Sequence, residues 1–212
     1  MGLIDVAPYQ LPDKDVLAST ESFKFLIWFP EEVCIVLGRS NKAEDSVFEE
    51  VVSMDNIPIY KRPSGGEAVV LAPGMLVVSW AMELERMVPP DSIFRQMNAL
   101  YTALFERAGI FGISGNGISD LCIDGKKIMG SSMYLNQKRL FYHAVINING
   151  DVGLISRYLK HPQREPAYRA GRAHESFVTS LGKEGKTCNV SFMANELKKM
   201  MYETCRAIMS YE

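Results

Sequence analysis

Cysteine and histidine are scarce in this chain, and neither sign of charge prevails. Its 212 residues include four Cys, three His, 23 Lys plus Arg and 25 Asp plus Glu, a net charge of -2. The cysteines, Cys34, Cys122, Cys188 and Cys205, form no Cys-x-x-Cys pair, which argues against a zinc ribbon or redox dithiol. They are too few for a secreted disulfide scaffold. The balanced charge argues against a broad electrostatic footprint for nucleic acid or anionic lipid, though a local basic groove is still open. No apolar run approaches the ~18 residues of a membrane span. The opening Met1-Gly2-Leu3-Ile4-Asp5-Val6 has neither the basic nor the apolar region of a secretory leader. Val6 stands where N-myristoylation at Gly2 wants Ser or Thr. The expectation is a reduced, cytoplasmic protein with no nucleic-acid and no membrane partner.

What is present is ordinary core material, 47% hydrophobic, in a length that suits one domain spanning 1–212. It is enough to bury roughly 70% of the unfolded surface without a metal or disulfide. Aromatic-rich Phe23–Phe29 and then Val33–Leu37 read as strands. Val47, Phe48, Val51 and Val52 recur at helical spacing and predict a helix over 43–54. A short strand, Pro58–Lys61, leads to a Gly-Gly turn, and 68–71 with 75–81 predict a hairpin around Ala72-Pro73-Gly74. A helix opens near Asp91 as N-cap, aligns Ile93, Met97, Leu100, Leu104 and Ala108, and stops at Gly109. Strands 120–123, 126–134 and 139–147 predict a meander, its first turn at Asp124-Gly125. A short helix over 152–159, a polar mobile loop over 161–176 and a final helix over 189–211 complete an α+β pattern.

Two segments carry the chemistry. In Lys61-Arg62-Pro63-Ser64-Gly65-Gly66-Glu67-Ala68-Val69-Val70, a cation meets a Gly-Gly turn that enters an apolar strand. Glycines let backbone N–H groups line a concavity, and an Arg fork suits phosphate. A plain loop with a surface arginine is the alternative. In Gly125-Lys126-Lys127-Ile128-Met129-Gly130-Ser131-Ser132, adjacent lysines on a strand face opposite ways, so one of them faces inward. Such a lysine could offset charge developing in phosphoryl or acyl transfer; two solvated lysines are the plainer alternative. His143, in the apolar run Leu140–Ile146, reads as a hydrogen-bonded core histidine. Cys122 reads as a small buried hydrophobe.

The ordered set of segments resembles the lipoate–protein ligase A family, within the biotin/lipoate ligase and octanoyltransferase group. Gly38-Arg39-Ser40-Asn41 is similar to its Gly-Arg-x-Gln-Asn stretch, and Arg62–Val69 to its Arg-x-Ser-Gly-Gly-Gly-Ala-Val signature. Ser119-Asp120-Leu121 is similar to Asn-Asp-Leu, and Lys127–Ser132 to Lys-[Ile/Val]-x-Gly-Ser-Ala. His143 follows that lysine at the family's distance, and Tyr168–Leu181 resembles the segment ending in Val-Thr-Asn-Leu. The likeness covers most of 20–205.

The resemblance implies a mixed, mainly antiparallel central sheet flanked by helices, related to biotin ligases and class II aminoacyl-tRNA synthetases. It implies that lipoate and ATP give lipoyl-AMP, whose acyl group passes to a lysine of an acceptor lipoyl domain. It places Lys127 on the acyl carbonyl and phosphate. Arg62 and the stretch Ser64, Gly65, Gly66, Glu67, Ala68, Val69 and Val70 would hold the nucleotide, with Gly130 and Ser131 beside it. Asp120 would position the nucleotide, with Mg2+ as an option. His143, Val69 and Val77 would wall the acyl slot. Departures are Glu67 for the third glycine, Leu71-Ala72 for His-Asp and Ala144 for the glycine after His143. A chain ending at 212 suggests that the small C-terminal accessory domain of longer ligases is missing. A separate accessory-domain protein would then supply it, or the chain would transfer preformed lipoyl or octanoyl groups. A non-catalytic lipoate-binding paralogue is the further alternative.

Overall fold

The computed structural model describes residues 4–209. Gly2, where myristoylation was weighed, and the last expected helical residues, Ser210 and Tyr211, lie outside them. The strands divide between two sheets, with helices on both outer sides. The first sheet has the order β1 (Ala7–Pro8), β4 (Ile59–Lys61), β3 (Cys34–Leu37), β5 (Val69–Leu71). Its pairs are parallel except for β3 with β5. The second, wholly antiparallel, has the order β2 (Phe23–Trp28), β6 (Met75–Glu83), β10 (Arg139–Asn147), β9 (Lys126–Leu135), β8 (Asp120–Ile123), β7 (Ile113–Asn116). The α+β class and the antiparallel meander are as expected. The strands β1 and β7 were not anticipated: two and four residues are too short to show a period.

Side-chain alternation sets the layers. On the outer face of the larger sheet, Leu76, Val78, Trp80 and Met82 pack with Leu140, Tyr142, Ala144 and Ile146. The helices α4 (Pro90–Arg107) and α7 (Val190–Met209) cover them with Ile93, Met97, Leu104, Met193, Leu197 and Met201. Trp80 stacks on Tyr142 at 5.4 Å between ring centroids, a geometry that adds to area burial. On the smaller sheet, Ile35 and Leu37 face outward to α2 (Ala43–Ser46), α3 (Glu49–Met54) and α5 (Gly153–Tyr158), through Val47, Val52 and Tyr158. Cys34 and Val36 face inward with Leu71 and Val77, between the sheets. The functional cavity opens in that inner layer.

Three expectations need correction. Residues 69–71 and 75–83 are not a hairpin: β5 pairs with β3, whereas β6 pairs with β2 and β10. The Ala72–Gly74 turn carries the chain between sheets, anchored by the Ile148 and Asn149 N–H groups donating to Gly74 O. The helix expected over 43–54 is two helices, because Val47 leaves the helical path to bridge Leu159; Phe48 is exposed. In α4, Pro89 occupies the N-cap position and Asp91 lies inside the first turn, where its charge suits the helix dipole.

Candidate active site

Between the sheets lies a cavity of about 680 Å³. Alternation along β10 puts His143, Val145 and Asn147 on it, and alternation along β6 adds Met75 and Val77. Across from them stand Val36, Val69, Val70 and Leu71 of the smaller sheet. The mouth carries Glu67, Lys127, Asp120, Lys160 and Arg164.

Of the two lysines after the Asp124-Gly125 turn, Lys126 reaches Glu184 at 3.0 Å, while Lys127 faces the cavity. A bulge in the β8–β9 pairing at Leu121/Cys122 sets that orientation. The Lys127 ammonium pairs with Asp120 Oδ1 at 2.8 Å, and Asp120 Oδ2 accepts from the Tyr168 hydroxyl at 2.7 Å. The lysine stem crosses the face of Gly130. A Cβ there would lie 2.6 Å from Lys127 Cε and 2.7 Å from Nζ, so the glycine leaves room for the cation.

The Arg62 guanidinium is buried and turned into its own loop. Nε and Nη2 donate to Gly65 O, Nη2 also to Glu67 O, and Nη1 to Val36 O. Burial lowers its pKa to about 10, which leaves it a cation at neutral pH. Gly66 has φ +86°, a backbone that favours glycine. Gly38 fits against the same turn: a Cβ on it would lie 1.9 Å from Gly66 O. Glu67 accepts from Asn41 Nδ2 at 3.3 Å, so its carboxylate ties the turn to the Gly38–Asn41 segment.

His143 and Ser64 are joined by residues that sequence reasoning passed over. Ser64 Oγ lies 2.8 Å from His143 Nε2, and Nδ1 faces Asp13 Oδ2 at 3.7 Å. These partners put the ring proton on Nδ1 and make Nε2 the acceptor of the Ser64 hydroxyl. Asp13 is fully buried and also accepts from Tyr9 at 2.7 Å and Ser79 at 2.6 Å. Burial pushes its carboxyl up, but the adjacent His143 ring and the Ser79 and Tyr9 hydroxyls outweigh it and hold the pKa below the ordinary value. Burial lowers the His143 pKa, with Asp13 opposing. The connectivity is that of a Ser-His-Asp triad, yet Ser64 is only 1% exposed and does not line the cavity. Its hydroxyl is a strut behind His143. The four-residue spacing of Tyr9 and Asp13 was the only sequence hint of this arrangement.

The segment expected to be a mobile loop folds against the site. It holds a 3-10 turn, Ala167–Arg169, and helix α6, His174–Phe177. Arg169 and Arg172 lie over the Phe177 ring, and each donates from Nε to the other's carbonyl. Arg172 also reaches Gly125 O at 3.1 Å. Its polar composition is spent on these internal bonds. His161 pairs with Glu165 at 2.9 Å, and His174 Nε2 meets Lys160 O at 3.1 Å, away from any nucleophile.

The cavity therefore brings together Gly66, Glu67, Ala68, Val69, Val70, Val77, Asp120, Lys127, Gly130, Ser131 and His143. Arg62 also reaches its wall, whereas Ser64 and Gly65 do not line it: Ser64 stands behind His143, and Gly65 O accepts from Arg62 and Ser132. As to Mg2+, both Asp120 oxygens are already engaged. Among the described residues no group of three or more His, Cys, Asp or Glu side chains could hold a metal ion. The donors suit a divalent ion only as one carried in on phosphate oxygens. Burial raises the pKa of all four thiols, Cys34 and Cys205 to about 12, so none is an activated nucleophile. No helix among the described residues is long and apolar enough to cross a membrane.

The two-sheet α+β fold is shared with solved lipoate–protein ligases. A bi-partite lipoate protein ligase from Thermoplasma acidophilum, described along with its E2 lipoyl domain, superposes with TM-score 0.74, covering 88% of this chain and 72% of that one at 20% identity. A lipoate-protein ligase A bound with ATP gives 0.75, covering 96% and 84% at 19% identity. The model of the lipoyl protein ligase A/B catalytic domain matches residues 14–204, and the chain belongs to that family. The lipoate–protein ligase of Streptococcus pyogenes is 24% identical over 69% of this chain and 42% of its own length. Lipoate–protein ligase 1 of Staphylococcus aureus is 22% identical over 90% and 56%. The chain thus spans about half the length of these curated relatives.

Proposed function

We propose that this domain activates lipoate with ATP to lipoyl-AMP and passes the acyl group to a lysine of an acceptor lipoyl domain. The observation that carries it is the Lys127 ammonium, held on the cavity by Asp120 at 2.8 Å with Gly130 clearing its path, in a chain of this family. In the first step the lipoate carboxylate attacks the α-phosphorus and pyrophosphate leaves. Lys127 would sit beside the oxygens on which charge builds, offsetting it. In the second, the acceptor amine attacks the acyl carbonyl, AMP leaves, and the amide nitrogen gives up a proton. Arg62 acts by shaping the Ser64–Val70 turn rather than by gripping phosphate, and Gly66 to Ala68, which line the cavity, present backbone to the nucleotide. Ser131 edges that site. His143, neutral by burial, walls the acyl slot with Val69 and Val77; each buried CH2 of the acyl chain contributes ~0.8 kcal/mol.

The Glu67 carboxylate is engaged by Asn41 at the cavity mouth, which supports a structural role for it in the turn. The raised thiol pKa values disfavour a cysteine-based acyl transferase. The test is lipoate-dependent ATP–pyrophosphate exchange, with and without a candidate accessory protein. Exchange that Lys127→Ala abolishes supports the reading. Transfer from supplied lipoyl-AMP without exchange would replace it with a transferase.

A further inference from the structure

Arg169 is only 4% exposed, yet it lines the cavity. Most of its guanidinium is occupied within its own segment. Nε donates to Arg172 O at 2.9 Å and faces Glu165 Oε2 at 3.4 Å. Nη2 meets His174 Nδ1 at 3.4 Å, and the guanidinium carbon stands 4.7 Å from the Phe177 ring centroid. Nη1 has no hydrogen-bond partner among the described residues, and it is not one of the unpartnered atoms sealed from solvent. The residue is otherwise buried, so Nη1 opens onto the cavity that the residue lines. A buried cation with an idle donor is costly, and a guanidinium fork suits an oxyanion. We propose that Arg169 is a substrate-binding residue whose Nη1 donates to an oxygen of the pyrophosphoryl end of ATP.

Position and charge favour the polyphosphate over the lipoate carboxylate. Phe177, under the guanidinium, leads into Val178, which bridges Lys127, and Thr179 N donates to Lys127 O at 2.9 Å. Tyr168, the residue before Arg169, holds Asp120. Arg169 therefore stands at the same mouth as the Lys127 ammonium but on a different segment. A carboxylate is met by one such cation; an anion that runs from one to a second is a chain of phosphates. Lys160 and Arg164 line the cavity from the stretch just before Arg169, which adds to the positive potential there. The acidic groups on the cavity, Asp45, Glu67 and Asp120, come from other segments, and Glu67 and Asp120 are engaged by Asn41 and Lys127. The apolar lining of Val36, Val69, Val77 and Val145 suits the acyl chain and offers that anion nothing. As the carboxylate oxygen bonds the α-phosphorus, the bridging oxygen leaves with its electron pair on pyrophosphate, where the guanidinium offsets the charge.

The inference rests on the adenylating reading, and its test separates the two. Calorimetry of the full chain would compare ATP, inorganic pyrophosphate, AMP and lipoate. Arg169→Lys keeps a charge but loses the fork. It should weaken ATP and pyrophosphate about tenfold and leave the affinity for AMP, which lacks those phosphates, unchanged. Glu165→Gln is the second variant: it leaves Arg169 in place and removes the carboxylate facing it. It should tighten pyrophosphate binding several-fold, the opposite of what a loosened fold does. Equal losses for ATP and AMP in Arg169→Lys mean a structural role only and overturn the proposal. So does a pyrophosphate affinity unmoved by both substitutions. Weaker lipoate binding with unchanged pyrophosphate assigns the guanidinium to the carboxylate and also overturns it. In each of these cases adenylation still stands if the wild type shows lipoate-dependent exchange. A wild type that neither binds ATP nor exchanges pyrophosphate removes the adenylating reading and this inference together.

Discussion

At the scale of single residues, the site is a cation placed by two neighbours that do no chemistry. Asp120 pairs with the Lys127 ammonium, and Gly130 supplies the space it crosses. Lys127→Ala should lower the adenylation rate by about 10²–10³-fold with an unchanged melting temperature. Gly130→Ala tests position without removing charge. Its new Cβ displaces the flexible lysine tip, so pyrophosphate exchange should fall while circular dichroism and unfolding stay near wild type. Full activity in Gly130→Ala would mean that the resting path of Lys127 is irrelevant to the reaction. Lys127 and the Gly-Gly turn stand out in the sequence by their own local chemistry, whereas Asp120 and Gly130 were pointed to only by the family resemblance, and the Asp120–Lys127 pair was not foreseen. The links of Asp13 to His143 and of Tyr168 to Asp120 were not foreseen either, since those partners lie 130 and 48 positions apart and meet only when the sheets pack.

At the scale of elements, the 161–177 segment and β10 matter most. Tyr168 holds Asp120 from the far side, and the arginine–phenylalanine packing behind it keeps that segment against β8 and β9. Tyr168→Phe removes the bond donated to Asp120 and the weak one accepted from Cys122 and should cost about 1 kcal/mol of stability, readable as a shift in urea midpoint. Its effect on exchange should exceed that of a surface substitution such as Lys138→Ala, because Asp120 loses an anchor. Strand β10 serves two layers, with Tyr142 in the helix-covered core and His143 on the cavity. Trp80→Ala removes the stack on Tyr142 and should cost ~3–5 kcal/mol, seen as a drop in thermal midpoint. The longer elements were legible by period and by apolar content. The false hairpin at 72–74 arose because a turn signal says that the chain reverses, not which sheet receives the next strand.

At the scale of the whole molecule, buried titrating groups tie stability to pH. His143 and His174 are both lowered by burial. The unfolded chain therefore binds their protons more readily, so stability is full above about pH 6.5 and falls as pH drops below it. Asp13 adds a second loss at lower pH, since its depressed carboxyl gives stability that disappears as pH falls through its folded pKa. Urea midpoints between pH 5 and pH 8 should show the first slope, and His143→Gln should flatten part of it. An unchanged slope would assign the pH dependence elsewhere.

What the sequence determined alone was the chemistry within reach of a few neighbouring residues: a glycine turn after an arginine, an inward lysine on a strand, a family signature in order along the chain. Only the tertiary structure decided what those groups meet. It turned Arg62 into its own loop, drew Glu67 to Asn41 and backed His143 with Asp13. The reason is physical: a side chain's type is local, but its burial and its hydrogen-bond partner are set by strands that become neighbours only when two sheets pack.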